Sequence, residues 1–148
     1  MRRRFLLLML LTFLGAPAYA ATALQVRDAW IQEAPPGATV LAAYLVIANT
    51  GAQARVLLSV SSPDFAAVEI HTSRIVNGTA SMAHLNDLTI PAQGQQVLAA
   101  GGTHLMLLRP KHALHAGDAA RLRLHFSGAT TLDVTAKVMR ALDTDHRH

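Results

Sequence analysis

Short runs of β-branched and aliphatic residues alternate along this chain with clusters of glycine, proline, asparagine and aspartate, and no segment sustains a 3.6-residue apolar period. Leu24–Ile31, Val40–Asn49, Val56–Ser61, Ala67–Ile75, Ala80–His84, Gln96–Ala99, Thr103–Leu108, Arg121–Phe126 and Thr131–Met139 read as strands. Alanine-rich Thr39–Ala48 is the one ambiguous stretch. Turn signals stand between the runs at Pro35-Pro36-Gly37, Asn49-Thr50-Gly51, Asn77-Gly78, Gly101-Gly102 and Ala116-Gly117-Asp118. Seven to nine short strands punctuated in this way predict an all-β, single-domain sandwich or barrel with Greek-key connections. There is no internal repeat, linker or low-complexity segment.

The two ends are expected to lie outside that domain. Residues 1–20 read as an export signal: Arg2, Arg3 and Arg4 form a basic start, Phe5 to Leu14 an apolar stretch, and Ala18-Tyr19-Ala20 a small-x-small cleavage site. The apolar stretch is shorter than the roughly 20 residues that cross a bilayer, and no later segment reaches that length, so no membrane span is expected. Arg2-Arg3-Arg4-Phe5-Leu6 loosely resembles a twin-arginine signal, but a three-arginine start is also ordinary for the general secretory route, which is the reading favoured here. Cleavage near Ala20 would release an exported mature protein, with a domain over 21–140 and a polar tail, 141–148, bearing His146 and His148.

Export also changes the charge argument. The chain carries 13 basic and 9 acidic side chains. Losing the three signal arginines leaves ten against nine, so the high pI gives no support for nucleic-acid binding. There is no cysteine. Burial alone must therefore hold the fold together, no thiol is present for lipid attachment, and thiolate metal chemistry is excluded.

Alternation assigns faces. In Arg121-Leu122-Arg123-Leu124-His125-Phe126 the apolar residues fall at even positions, which puts His125 on the wet side with the arginines as a solvated histidine. His104 and Met106 project from one face of their strand, two residues apart. Asn77-Gly78 is a strong type I′ hairpin signal. A two-residue loop there pairs Val76 with Thr79, Arg74 with Ser81 and His71 with His84. Opposed Cβ atoms lie about 4.5–5.5 Å apart and diagonal neighbours about 7–8 Å. His71, Met82 and His84 then share a face, with Met82 diagonal to His71, while Val68 and Ile70 point to the core. A four-residue loop keeps this register, whereas a three-residue loop puts His71 and Met82 on opposite faces.

His71, Met82, His104 and Met106 thus form a soft, charge-neutral set of donors. Thioether sulfur favours Cu(I), zinc is usually held by thiolate, imidazole or carboxylate, and magnesium and calcium want oxygen. Two imidazoles with two thioethers point to monovalent copper. Singly, a strand methionine is usually core filler and a strand histidine a surface residue; the joint pattern is what argues otherwise.

The spacing of these four residues is similar to the H-x10-M-x21-H-x-M signature of the periplasmic PCuAC copper chaperones. The resemblance extends to Asp28-Ala29-Trp30, Ala34-Pro35-Pro36-Gly37, Ala43-Tyr44-Leu45, Asn49-Thr50-Gly51, Ser61-Ser62-Pro63, Val68-Glu69-Ile70-His71 and Gly101-Gly102-Thr103-His104-Leu105-Met106-Leu107. It implies a cupredoxin-like barrel that carries Cu(I) and delivers it to the copper centres of cytochrome c oxidase, alongside a Sco-type assembly factor. Imidazole and thioether suit an oxidising compartment because they form no disulfides, although methionine can become the sulfoxide. A blue-copper electron carrier needs a cysteine sulfur, which this chain lacks.

His84 lies outside the signature, yet the hairpin places it opposite His71; it reads first as an exposed strand residue, with contact to the metal as the alternative. The tail with His146 and His148 reads first as a mobile polar terminus, and its nitrogens would also suit Cu(II). His112 and His115 lie in a turn-rich stretch and look solvated. Two other readings remain open: periplasmic copper scavenging or buffering, and a β-sandwich assembly module that binds no metal. An enzyme is not expected, since neither Ser61 nor Ser81 has a conspicuous His-Asp arrangement and no glycine loop cradles phosphate.

Overall fold

The computed structural model describes residues 23–140, so the expected signal and the His-bearing tail lie outside the described residues. Ten strands and no helix occur among these residues. They are β1 (Leu24–Gln32), β2 (Val40–Asn49), β3 (Arg55–Ser61), β4 (Phe65–Val76), β5 (Thr79–Leu85), β6 (Leu88–Ile90), β7 (Gly94–Leu98), β8 (Thr103–Pro110), β9 (Ala119–Phe126) and β10 (Thr130–Met139). Nine match the runs expected from sequence to within two residues at either end. The tenth, β6, has three residues, too few for alternation to reveal, and is held by pairing with β3.

Seven strands close a ring in the order β4-β8-β2-β1-β10-β9-β3, completed where β3 pairs with β4 at Val60 and Val68. The β2–β3 and β8–β9 connections join strands that are not neighbours in the ring, which makes the topology Greek-key. Three strands sit outside the ring: β5 on β4, β6 on β3 and β7 on β2. β2 is long enough to serve two partners along one edge. Val40 to Ala43 pair with β8 and Leu45 to Asn49 with β7.

Alternation builds the core as expected. Leu122, Leu124 and Phe126 of β9, Leu105 and Leu107 of β8, and Leu41, Ala43, Leu45 and Ile47 of β2 all point inward, with Ile70 of β4. One buried polar side chain completes this core. Asn49, 1 % exposed, donates from Nδ2 to the carbonyls of Gln53 and Pro91 at 2.8 and 3.1 Å and accepts from the Gly51 N–H at 3.0 Å. The Asn49-Thr50-Gly51 motif is therefore a fully satisfied structural device. Trp30 and Tyr44, from two of the other resembling motifs, pack against each other across β1 and β2, their rings tilted by 44° with centroids 4.7 Å apart.

Candidate metal centre

The β4–β5 hairpin has the register that the Asn77-Gly78 loop dictates. Both turn residues have positive φ, 51° and 77°, as a type I′ turn requires. Val76 pairs with Thr79, Ser73 with Met82 and His71 with His84. Met82 and His71 consequently share a face and lie diagonal to each other. On its other edge β4 pairs with β8, which puts His104 directly opposite His71 and Met106 opposite Glu69.

One face of three adjacent strands, β5-β4-β8, therefore bears all four sequence-predicted donors. His71 occupies the middle strand, with Met82 on one side and His104 and Met106 on the other. The opposite face of β4 and β8 packs Ile70, Leu105 and Leu107 into the core, so His71, His104 and Met106 stand on the barrel wall, while Met82 stands on β5 outside the ring. Their exposure grades across the sheet. His104 is 6 % exposed, Met106 is half-buried, the His71 side chain is 14 % exposed, and Met82 on the outer strand is 54 % exposed. His84, opposite His71, is exposed; its ring sits edge-on to that of His71 with centroids 5.4 Å apart. The His71 and His104 rings are 6.2 Å apart.

Each of the two inner histidines has one ring nitrogen engaged by the protein. His104 Nδ1 donates to the Gly102 carbonyl at 3.0 Å, and that carbonyl also accepts the Ser73 N–H, tying the ring to the end of β4. His71 Nε2 bonds Glu69 Oε2 at 2.8 Å. The remaining nitrogen of His71, Nδ1, is buried and has no hydrogen-bond partner. Such an orphan is uncommon in a folded protein and suits a metal donor. Among the described residues no group of three or more histidine and carboxylate side chains converges to hold a metal.

Glu69 was not among the sequence candidates. The signal was available, because a carboxylate two residues before a strand histidine must share its face. The Gly102 carbonyl had no such signal, since it depends on how the β7–β8 turn meets β4. His125 does face outward, but it is not simply solvated: its Nε2 lies 2.9 Å from Ser61 Oγ. The β3–β9 pairing that joins these residues spans 64 positions. Asp133, on the adjoining strand, is held bidentately by Arg123 at 2.6 and 2.8 Å and is not available to orient that imidazole. His112 and His115 are exposed, as expected.

The LpqE-like lipoprotein family model matches residues 24–138. A protein of Leifsonia xyli subsp. xyli (strain CTCB07) named as lipoprotein Lxx21020 is 32% identical over 123 residues, covering 82% of this chain and 73% of that one. The copper-bound PCuAC domain from PmoF2 superposes with a TM-score of 0.68 at 23% identity, over 82% of this chain and 97% of that domain. The solution structure of Cu(I)-DR1885 from Deinococcus radiodurans gives 0.64 at 29% identity, over 87% of this chain and 85% of that one. With the family match running across almost every described residue, the chain belongs to the LpqE-like family, and its barrel has the cupredoxin-like fold of the PCuAC domains.

Proposed function

We propose that this protein is a copper chaperone of the periplasm that carries one Cu(I) on His71, Met82, His104 and Met106. The observation that carries this reading is the assembly of two imidazoles and two thioethers on one face of β5-β4-β8, with the His71 Nδ1 buried and unpartnered. Neutral, soft donors suit a monovalent ion and bind it less tightly than thiolates would, which favours release. The gradient of exposure suits release as well. His104 anchors the ion from inside, and Met82 is the donor an incoming acceptor reaches first. The copper-bound state of the PmoF2 domain and of DR1885 supports the same cargo. The acceptor in this proposal is a copper centre of cytochrome c oxidase, reached directly or with a Sco-type factor.

Cu(I) titration of the exported chain against a chromophoric competitor tests the binding. One tight site is expected in the wild type and a much weaker one in His104→Ala. Equal stoichiometry and affinity in the two would overturn the donor set. Transfer to an apo-oxidase copper fragment then separates delivery from storage: a chaperone loads the fragment, whereas a scavenging or buffering protein retains its copper.

A further inference from the structure

The two histidines of the proposed site are not held alike. We infer that Cu(I) binds through Nδ1 of His71 but Nε2 of His104, and that Glu69 is the positioning residue that imposes this asymmetry. The inference rests on the copper reading above and specifies its coordination.

A neutral imidazole has one N–H and one lone pair, while carboxylate and carbonyl oxygens only accept. The Glu69 carboxylate at 2.8 Å therefore requires the hydrogen of His71 to reside on Nε2, and the Gly102 carbonyl at 3.0 Å requires that of His104 on Nδ1. The lone pairs are left on opposite atoms of the two rings. The atom this assigns on His71 is the same buried Nδ1 that has no partner in the fold. Coordination through His71 Nε2 would require the carboxylate contact to break.

Glu69 is placed for this by the strand itself. It lies two residues before His71 on the same face and directly opposite Met106. Across the donor-bearing positions of the three strands (Glu69, His71, Ser73, Met82, His84, His104 and Met106) it is the one carboxylate. Its negative charge therefore sits behind a His ring whose other nitrogen would meet a monovalent cation, with four neutral donors around the ion. This arrangement orients the imidazole, selects its tautomer and raises its basicity, as carboxylate–histidine pairs do at other metal sites.

Long-range proton–nitrogen NMR on the 15N-labelled exported chain tests this, before and after one equivalent of Cu(I) under reductant. The metal-free protein should show His71 protonated at Nε2 and bare at Nδ1. Cu(I) should shift His71 Nδ1 and His104 Nε2. Glu69→Ala should lose the tautomer preference and bind Cu(I) about 10–100-fold more weakly. Glu69→Gln, whose carbonyl oxygen still accepts the Nε2–H, should keep the tautomer and most of the affinity. Cu(I) shifting His71 Nε2 would overturn the assignment while leaving the copper reading intact. So would a Glu69→Ala variant that keeps both tautomer and affinity. Wild-type protein that binds no Cu(I) would remove the copper reading and this inference with it. Should Glu69→Ala fail to fold, the wild-type spectra and Glu69→Gln still decide the matter.

Discussion

Replacing Met82 with leucine separates a donor from a packing residue. Met82 is 54 % exposed on the outermost strand, and every residue of β5 except Leu85 is exposed. The substitution keeps volume and apolar character, and such swaps cost less than about 1.5 kcal/mol even in cores. At an exposed position the change should stay within about 0.5 kcal/mol. Copper affinity should respond on a different scale. Losing a partner that only supports a donor costs about 10–100-fold, and losing a donor outright should cost at least as much, about 1.4–2.7 kcal/mol. The assays are urea unfolding of the metal-free protein and Cu(I) competition against a chromophoric chelator, each on wild type and Met82→Leu. Unchanged stability with affinity reduced at least tenfold (about 1.4 kcal/mol) is the expected pair of results. Unchanged affinity would refute the role given to this sulfur, and a matching loss of stability would return it to packing.

Gly78→Val should destabilise the hairpin tip by about 1–2 kcal/mol, because φ at this position is +77° and no atom crowds it, so the strain is conformational. It should weaken Cu(I) through Met82 while the His71–His104 pairing on β8 survives, which competition titration and backbone NMR would show together. Asn49→Ala should cost about 2–4 kcal/mol in urea unfolding, since it strands two carbonyls and an N–H around a buried position, and should leave Cu(I) stoichiometry unchanged. The Ala116 N–H, donated at 2.8 Å, and then Arg140 hold the Glu33 carboxyl below its ordinary value of 4.5. A depressed folded-state pKa gives stability that is present above the unfolded value and lost as pH falls through the folded one. Glu33→Gln should therefore unfold with a shallower dependence on pH below about 4.5, as followed by urea midpoints across acid pH.

Local chemistry made most of this molecule legible before any coordinates. The strands announced themselves by alternation, and Asn77-Gly78 determined a register that carried Met82 to the face of His71 with no long-range information. What alternation cannot supply is partner choice between distant strands. Nothing in Thr103–Pro110 says that it pairs with β4, so the opposition of His71 and His104 emerges only from the closed barrel. The same limit hid the contact of Ser61 with His125 and the double use of the Gly102 carbonyl. β6 escaped because three residues flanked by Asp87 and Pro91 present no period. Glu69 is the instructive omission: its face was readable from spacing, but its importance appears only beside an imidazole that has one nitrogen satisfied and the other orphaned.

X-ray absorption at the copper edge, on the exported full chain loaded with one equivalent of Cu(I), probes the donor set itself. Two nitrogen and two sulfur scatterers in the first shell are expected. A shell of nitrogen and oxygen alone, without sulfur, would contradict a thioether–imidazole site on this face of the barrel.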